Sequence, residues 1–210
     1  MSDGTKSRKY RRGDAVYAVG DSNSGVYCIS EGSLGVRKMD AEGNWILLQL
    51  AYPGETLGYR SFLRGGRHRT GAEALEPSVV CHIKADKITG LLENDPTLGL
   101  QFLQRASHEI ETVHDTMLQT HTLTNRQYFV HLLMVLLKRH GRENADGSFS
   151  IQLPLSRRDL ASMVGTRQET LSRIIKRLEN DGLADFSGRR VHIADVDALF
   201  DEISAYFPAP

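Results

Sequence analysis

The chain has 210 residues, enough for two modest domains that each bury a core of their own. Hydrophobic residues make up 40% and charged residues 25%, which is typical of globular proteins. Lysine and arginine balance aspartate and glutamate at 26 each, which excludes a protein that holds nucleic acid by net charge alone.

The N-terminal segment MSDGTKSRKYRRGD is polar and basic, and it lacks the apolar stretch of a secretory signal. Tyr128–Leu137, the longest mostly apolar segment, is interrupted by His131 and is too short to span a bilayer. We therefore expect a cytoplasmic protein with no membrane partner.

Residues 13–85 carry turn signals at regular intervals, such as Gly20-Asp21 and Gly43-Asn44. The segments between the turns are rich in β-branched and aromatic residues: Val16–Val19, Val26–Ile29, Leu34–Val36, Trp45–Leu50 and Val79–Ile83. This spacing predicts an all-β sandwich or barrel. Cys28 and Cys81 both fall in predicted strands, without the spacing of a zinc or iron–sulfur motif.

Asp95-Pro96 is typical of a helix start, because proline is tolerated in the first turn. Beyond it, apolar or small residues recur at alternating steps of three and four: Leu103, Ala106, Ile110, Val113, Met117 and Thr120. This heptad seam predicts a long helix that faces a partner helix. The alternative is that the seam packs against the chain's own barrel. A second, buried helix is predicted at Arg126–His140.

Residues 141–150 are polar and rich in turn formers, so they predict a break before a compact C-terminal unit. Ser156 and Asp159 predict the capped start of a short helix that Gly165 ends. The next helix is predicted over Thr166–Asn180, since Thr166 and Glu169 have capping-box spacing.

The predicted second helix is amphipathic. Its apolar residues share one face, whereas the opposite face carries Glu169, Ser172, Arg173 and Lys176. Two capped helices joined by a glycine turn predict a DNA-binding helix-turn-helix, and segments 183–184 and 191–193 predict a β-hairpin wing. Arginine reads guanine and glutamate accepts from cytosine in the major groove. The alternative is that Glu169 only pairs with Arg173 or caps its helix.

These segments together resemble the Crp/Fnr family of bacterial transcription factors. The resemblance runs from about Tyr10 to Ile193 and rests on GVYCISEGSLGV, PGETLG and SRRDLASMVGTRQETLSRIIKRLENDGL. It implies an α+β fold with a cyclic-nucleotide-binding-like β-barrel (a jelly roll) at 1–95, a dimerisation helix at 96–123 and a winged helix-turn-helix at 124–210. It also implies a homodimer that binds a two-fold symmetric double-stranded DNA operator and contacts RNA polymerase.

The resemblance assigns base reading to Gln168, Glu169, Ser172 and Arg173. The pattern E-x-x-S-R is similar to the Fnr branch, whereas the cyclic-AMP receptor has glycine and arginine in place of Ser172 and Gln168. Phosphate contacts are implied for Ser156, Arg157, Arg167, Thr170, Gly188 and Arg189.

The implied effector pocket comprises Gly58, Tyr59, Arg69, Thr70, Val113 and His114. Arg69-Thr70 keeps a guanidinium beside a hydroxyl, as an anion site requires. Tyr59 stands where the cyclic-AMP receptor has the glutamate that binds the ribose, and Val113-His114 replaces its threonine-serine pair. We therefore expect a small-molecule effector other than cyclic AMP, or an empty pocket. A cyclic-nucleotide-responsive regulator is the alternative.

Other sensors are also possible from the sequence. His114 and His121 lie two helical turns apart beside the seam, where they would ligate haem or titrate, or simply form hydrogen bonds. Cys28 and Cys81 are interpreted as small apolar packers, with a reversible thiol switch as the alternative. His68 is expected in a loop. The cluster cysteines of Fnr are absent, which excludes an iron–sulfur cluster, and no metal ligand set is assigned.

Two other classes of protein are less consistent with the sequence. A plain ligand-binding module, such as a kinase regulatory subunit, leaves Thr166–Asn180 without a role. An enzyme needs a nucleophile–base pair, a metal-ligand cluster or a phosphate-binding loop, and no such motif is found in the sequence. We therefore predict a DNA-binding regulator with no catalytic residues.

Overall fold

The computed structural model describes residues 5–206 and divides the chain into two compact units that meet between Thr112 and Val113. This division falls inside the predicted long helix, α3 (Pro96–Thr122), which has 27 residues. The Asp95 carboxylate accepts the Thr97 N–H at 3.0 Å and so caps the first turn. The three-part division at residues 95 and 123 remains a prediction, because part of α3 belongs to each unit.

The first unit contains two four-stranded antiparallel sheets, as the predicted barrel requires. One sheet has the order β1-β8-β3-β6, and its strands are β1 (Thr5–Tyr10), β3 (Gly25–Glu31), β6 (Thr56–Leu57) and β8 (Ser78–Lys84). The other has the order β2-β7-β4-β5, and its strands are β2 (Ala15–Tyr17), β4 (Leu34–Met39), β5 (Trp45–Ala51) and β7 (Gly71–Ala74).

The barrel core takes side chains from all eight strands, and they include Tyr17, Tyr27, Leu34, Val36 and Val80. In β3 and β4 the core side chains are two residues apart, Tyr27 with Ile29 and Leu34 with Val36, as expected for one face of a strand. The basic strand β1 was not predicted, because five of its six residues are exposed and it therefore shows no apolar alternation.

The outer face of the first sheet is covered by helices. Val26, Tyr59 and Ile88 form a second core there, against which Ile83, Phe62, Leu92, Phe102 and Ala106 pack. Tyr59 lies in α1 (Tyr59–Arg64) and Ile88 in α2 (Ala85–Asn94), two short helices that follow strands directly. This apolar layer fixes the start of α3 to its barrel.

Most of the heptad seam of α3 is exposed, and the exception is Ala106, which packs on the second core. Leu103 is 66% exposed and Ile110 is 56% exposed, whereas the barrel-facing residue Phe102 is half-buried. Val113 and Met117, further along the helix, are each 55% exposed. The alternative that the seam packs against the chain's own barrel therefore applies to Ala106, whereas the larger apolar residues of the seam are exposed.

The second unit combines helices with one small sheet. Its helices are α4 (Asn125–His140), α5 (Arg157–Val164), α6 (Gln168–Asn180) and α7 (Val196–Asp201). Its antiparallel sheet has the order β11-β12-β10-β9, with strands β9 (Gly141–Glu143), β10 (Phe149–Gln152), β11 (Asp185–Ser187) and β12 (Arg190–Ile193).

Two predictions in this unit need correction. The polar segment 141–150 is not only a break, since β9 pairs with β10 and Asn144 donates to Ser148 and Ser150 across the turn. The first strand of the wing covers Asp185–Ser187 rather than residues 183–184, because Ala184 is drawn into the core at 3% exposure. The buried helix α4 is confirmed, with Phe129 and Leu133 fully enclosed.

Candidate nucleic-acid interface and effector cleft

Helix α5 begins with the predicted cap. The Ser156 hydroxyl accepts the Asp159 N–H at 3.1 Å, and the Asp159 carboxylate accepts the Ser156 N–H at 2.9 Å. These reciprocal bonds satisfy two amides that the first helical turn leaves without partners. Asp159 is 7% exposed and its carboxylate also accepts from the Ser156 hydroxyl, so the start of the helix is fixed tightly.

Helix α5 ends at Gly165, whose φ of +72° is the left-handed conformation that favours glycine. Gly165 donates its N–H to Ser162, and Thr166 donates its N–H to Ala161 at 2.9 Å. These two bonds form a Schellman motif that satisfies the last carbonyls of α5. The predicted glycine turn between the two helices is therefore confirmed.

The capping box predicted at Thr166 is wrong. Helix α6 starts at Gln168, its N-cap is Arg167, and no side chain caps it. The physical reason is that the Schellman motif of α5 already includes Thr166, which delays the start of the next helix by two residues.

Helix α6 separates its faces as predicted. Its buried residues are Leu171, Ile174, Ile175 and Leu178. The four residues assigned to base reading are all exposed on the opposite side: Gln168, Glu169, Ser172 and Arg173. Within residues 5–206, Glu169 neither caps the helix nor pairs with Arg173. The two alternative roles of Glu169 are therefore not realised, and its carboxylate faces solvent.

The residues assigned to phosphate contacts differ in exposure. Arg167 and Gly188 are exposed, whereas Ser156, Thr170 and Arg189 are half-buried. Arg167 lies at the start of α6 and Gly188 at the tip of the wing. The backbone of a duplex would pass both positions if α6 entered its groove.

Arg157 has an environment unlike that of the other five. Its guanidinium lies over the Phe186 ring at 4.9 Å, and burial lowers the pKa of this group, partly offset by Glu179. Glu179 also accepts the Phe186 N–H at 3.2 Å. Arg157 therefore connects α5 to the wing, and its assignment to phosphate binding remains a prediction.

An ion-pair network that the sequence did not indicate joins three elements of this unit. Arg126, at the start of α4, donates to Glu202 at 2.8 and 3.1 Å and to Asp181 at 2.6 Å. Asp181 is the C-cap of α6, and Glu202 follows α7. Arg126 thus holds the C-terminal end of α6. Asp181 and Glu202 lie 55 and 76 residues from Arg126 in the sequence, a separation that no local pattern reports.

The first unit contains a cleft on the predicted effector side of the barrel. Its volume is about 20 Å³, close to that of one water molecule. Its lining includes Gly58, Tyr59 and Thr70, as predicted, together with Tyr17, Arg60, His68 and Glu109. Gly58 has a φ of +80°, which places Tyr59 at the start of α1 with its ring turned inward.

Tyr59 lines this cleft and belongs to the apolar layer between α1 and α3. Its side chain is 2% exposed and stacks on Phe102 of α3 with ring centroids 5.8 Å apart. Burial and the nearby Glu109 carboxylate raise the pKa of the phenol, so it stays protonated. Glu109 also pairs with Arg60 at 3.6 Å and with Arg105 at 3.7 Å.

The opposite wall of the cleft is aromatic. Tyr17 stacks on His68 with ring centroids 4.1 Å apart, and burial raises the pKa of Tyr17 to about 12. His68 lies in a loop, as expected, yet it is only 2% exposed, and burial lowers its pKa. Its neighbour Arg69 is exposed and does not line the cleft.

The remaining sensor candidates are dispersed. Val113, His114 and His121 are exposed on α3, in the second unit of the chain. Residues 5–206 contain no group of three or more His, Cys, Asp or Glu side chains that could hold a metal ion. Cys28 and Cys81 are both free thiols, and they lie opposite each other on neighbouring strands.

Comparison with known proteins supports both halves of this description. Residues 7–95 match the cyclic nucleotide-binding domain model, and residues 130–201 match the Crp-like helix-turn-helix domain model. Along residues 5–206, no helix combines the length and apolarity that crossing a membrane requires.

Relatives cover nearly the whole chain. It is 28% identical over 191 residues to the transcriptional regulatory protein btr of Bordetella pertussis, covering 91% of this chain and 78% of that protein. It is 25% identical to the fumarate and nitrate reduction regulatory protein of Escherichia coli over 92% of this chain and 77% of that one.

Solved structures show the same fold. FixK2 from Bradyrhizobium japonicum superposes with a TM-score of 0.78 at 24% identity, covering 94% of this chain and 96% of that one. The c-di-GMP responsive regulator CLP of Xanthomonas campestris gives 0.79 at 20% identity, covering 91% and 95%. The chain belongs to the Crp/Fnr family of DNA-binding transcription regulators.

Proposed function

We propose that the protein is a homodimeric regulator that reads a palindromic operator through α6, contacts RNA polymerase and responds to an effector other than cyclic AMP. The observation that carries the DNA-reading part is the orientation of α6. Its leucine–isoleucine face is buried, whereas Gln168, Glu169, Ser172 and Arg173 stand exposed and free for base edges. DNA in the bacterial cytoplasm is the corresponding partner.

Arg173 and Glu169 supply complementary chemistry on adjacent turns of α6. A guanidinium donates two hydrogen bonds to guanine, and a carboxylate accepts one from cytosine. Because Glu169 does not bind Arg173 in the free protein, neither group has to break an ion pair before it meets a base. Within residues 5–206, the one side-chain hydrogen bond made by these base-reading residues is a long one of 3.4 Å from Arg173 to Thr170.

The test is in vitro selection of a duplex from a randomised library, followed by anisotropy titrations of Arg173→Ala and Arg189→Ala. Arg173→Ala should lose about 1–3 kcal/mol of discrimination at one base pair of each half-site. Arg189→Ala should weaken all duplexes alike and reduce the salt dependence of binding. If Arg173→Ala selects the same sequence with the same discrimination, the assignment of base reading to Arg173 is wrong.

The homodimer is supported by the unpartnered seam of α3. Leu103, Ile110, Val113 and Met117 are each more than half exposed at heptad spacing, and a second copy of the helix would cover them. In a two-fold dimer, the two α6 helices should reach half-sites about 34 Å apart, one turn of the duplex.

Ile110→Lys tests the dimer by placing a charge in the seam. Gln104→Lys is the matched control, because it adds the same charge at an exposed position off the seam. Sedimentation should show a monomer for Ile110→Lys and a dimer for wild type and Gln104→Lys. A monomeric wild type at micromolar concentration would contradict the proposal.

The proposal about the effector rests on Tyr59. Its buried phenol stands where the resemblance implies the ribose-binding carboxylate, and Glu109 is already engaged by both Arg60 and Arg105. A volume of about 20 Å³ does not admit a nucleotide without rearrangement. A ligand at 100 times its dissociation constant stabilises a protein by about 2.7 kcal/mol, which thermal unfolding detects readily. Cyclic AMP should give no such shift, and a clear shift would refute this part.

A further inference from the structure

The two cysteines of the chain lie side by side in the barrel. Strands β3 and β8 are antiparallel, and their register places Cys28 directly opposite Cys81. Residues 53 positions apart in sequence thus become nearest neighbours across one ladder. Both cysteines are free thiols, and both are half-buried.

The pair lies on the outer face of its sheet. Tyr27 and Ile29, the neighbours of Cys28 in β3, point into the barrel core, so Cys28 points outward. The register continues the row to Ser7 of β1 and Thr56 of β6. The Cys28 thiol lies 3.6 Å from the Thr56 hydroxyl. The row is therefore polar and lies outside the packed core of the barrel.

The backbone pattern defines the spacing of the pair. Ile29 donates its N–H to Glu55 and accepts from Gly54, so its polar groups point away from β8. Because these groups alternate in direction along a strand, those of Cys28 point toward β8, and the two cysteines form a hydrogen-bonded pair. Such pairs have Cα atoms about 5.5 Å apart, within the range of about 4.4–6.8 Å that disulfides span.

Directly opposite Cβ atoms lie about 4.5–5.5 Å apart, whereas a disulfide requires about 3.5–4.5 Å. A hydrogen-bonded pair lies at the wider end of the first range, so closing the bond must bring the Cβ atoms together by about 1–2 Å. The ladder already shifts register between Ile29 and Glu31, which gives β3 an irregularity next to the pair. A bond formed under such tension is reduced more easily than a structural disulfide.

We propose that Cys28 and Cys81 form a reversible intrachain disulfide by exchange with low-molecular-weight disulfides. One protein thiolate attacks the small disulfide, whose S–S bond breaks and releases one small thiol. The second protein thiolate then attacks the protein-bound sulfur and releases the other small thiol. The protein loses two electrons and two protons, which the small disulfide gains as it becomes two thiols. The exchange reaction does not require DNA binding. The disulfide proposal can therefore be confirmed or refuted independently of the proposed function.

Oxidised glutathione is the probe, and the intact mass of the full-length protein is the readout. Wild type should lose two hydrogen atoms, keep no glutathione and recover its mass with dithiothreitol. Cys28→Ser and Cys81→Ser are the matched controls, since each lacks the resolving thiol and should keep one glutathione. Mixtures of reduced and oxidised glutathione should titrate the wild-type bond, whereas a structural disulfide stays oxidised across them.

Three results would overturn the inference. Wild type that keeps glutathione on either cysteine shows that the second thiol does not resolve the adduct. Wild type that forms only chain-to-chain disulfides on a non-reducing gel shows that the pair does not close within one barrel. Thiols that do not react in the folded protein, yet react after denaturation, show that the site is closed. Because the wild type alone gives these results, a variant that fails to fold does not obscure them.

Discussion

The ion-pair network at Arg126 makes a quantitative prediction about the C-terminal unit. The Arg126 side chain is 24% exposed and donates to Glu202 through two nitrogens and to Asp181 through one. Arg126→Met keeps much of the aliphatic stem but removes the charge, so both carboxylates lose their cation. We expect the loss to destabilise the connection between α4, α6 and α7.

The expected magnitude follows from exposure. Asp181 is 49% exposed, so its bond counts as a surface ion pair of about 0–1 kcal/mol. Glu202 is 29% exposed and is held by two charge-assisted bonds, which contribute about 1.5–3 kcal/mol together after solvent screening. Arg126→Met should therefore lower the free energy of unfolding by about 1.5–4 kcal/mol.

Urea unfolding followed by far-ultraviolet circular dichroism measures this loss. Arg142→Met is the matched control, because Arg142 is exposed in the same unit. Glu202→Gln in the Arg126→Met background should recover part of the loss, since it removes a carboxylate that has lost its cation. A change below about 0.5 kcal/mol for Arg126→Met would refute the reasoning, because that is the range of neutral surface substitutions.

Three further predictions concern backbone conformation and pH. Gly165→Ala should lower the free energy of unfolding by about 1–2 kcal/mol, since the φ of Gly165 is +72° although the space around it is open. Gly165→Asn should lower it by less in the same urea titration. Gly25→Ala should abolish soluble expression, because the added carbon would overlap the backbone carbonyl oxygen of Ile83. Burial lowers the pKa of His68, so below about pH 6.5 the unfolded chain binds a proton that the folded one does not. Thermal stability should therefore fall on acidification, and His68→Gln should flatten that slope.

The helix-turn-helix was predictable because its signals are local. Gly165, the Ser156 cap and the apolar period of α6 each act within a few residues, and each is realised in the structure. The error at Thr166 arose from two local signals that overlap. The capping box and the Schellman motif both include Thr166, and the sequence alone does not show which one forms.

Contacts between residues that are distant in sequence could not be predicted from local sequence patterns. The opposition of Cys28 and Cys81 follows from the register of β3 against β8, which a shift of one residue would destroy. The binding of Arg126 to Asp181 and Glu202 depends likewise on tertiary structure. Both cysteines were correctly placed in strands of one barrel, but the sequence contains no signal for their distance.

Tyr59 shows how one substitution changes a site in two ways. The sequence indicated only that a phenol cannot accept ribose hydroxyls as a carboxylate does. The structure adds packing, since the buried ring stacks on Phe102 and joins the apolar layer between α1 and α3. It also adds charge, since the single Glu109 carboxylate pairs with both Arg60 and Arg105 and leaves one of the two positive charges uncompensated. The residue at this position therefore packs α1 on α3 instead of presenting a carboxylate to the cleft.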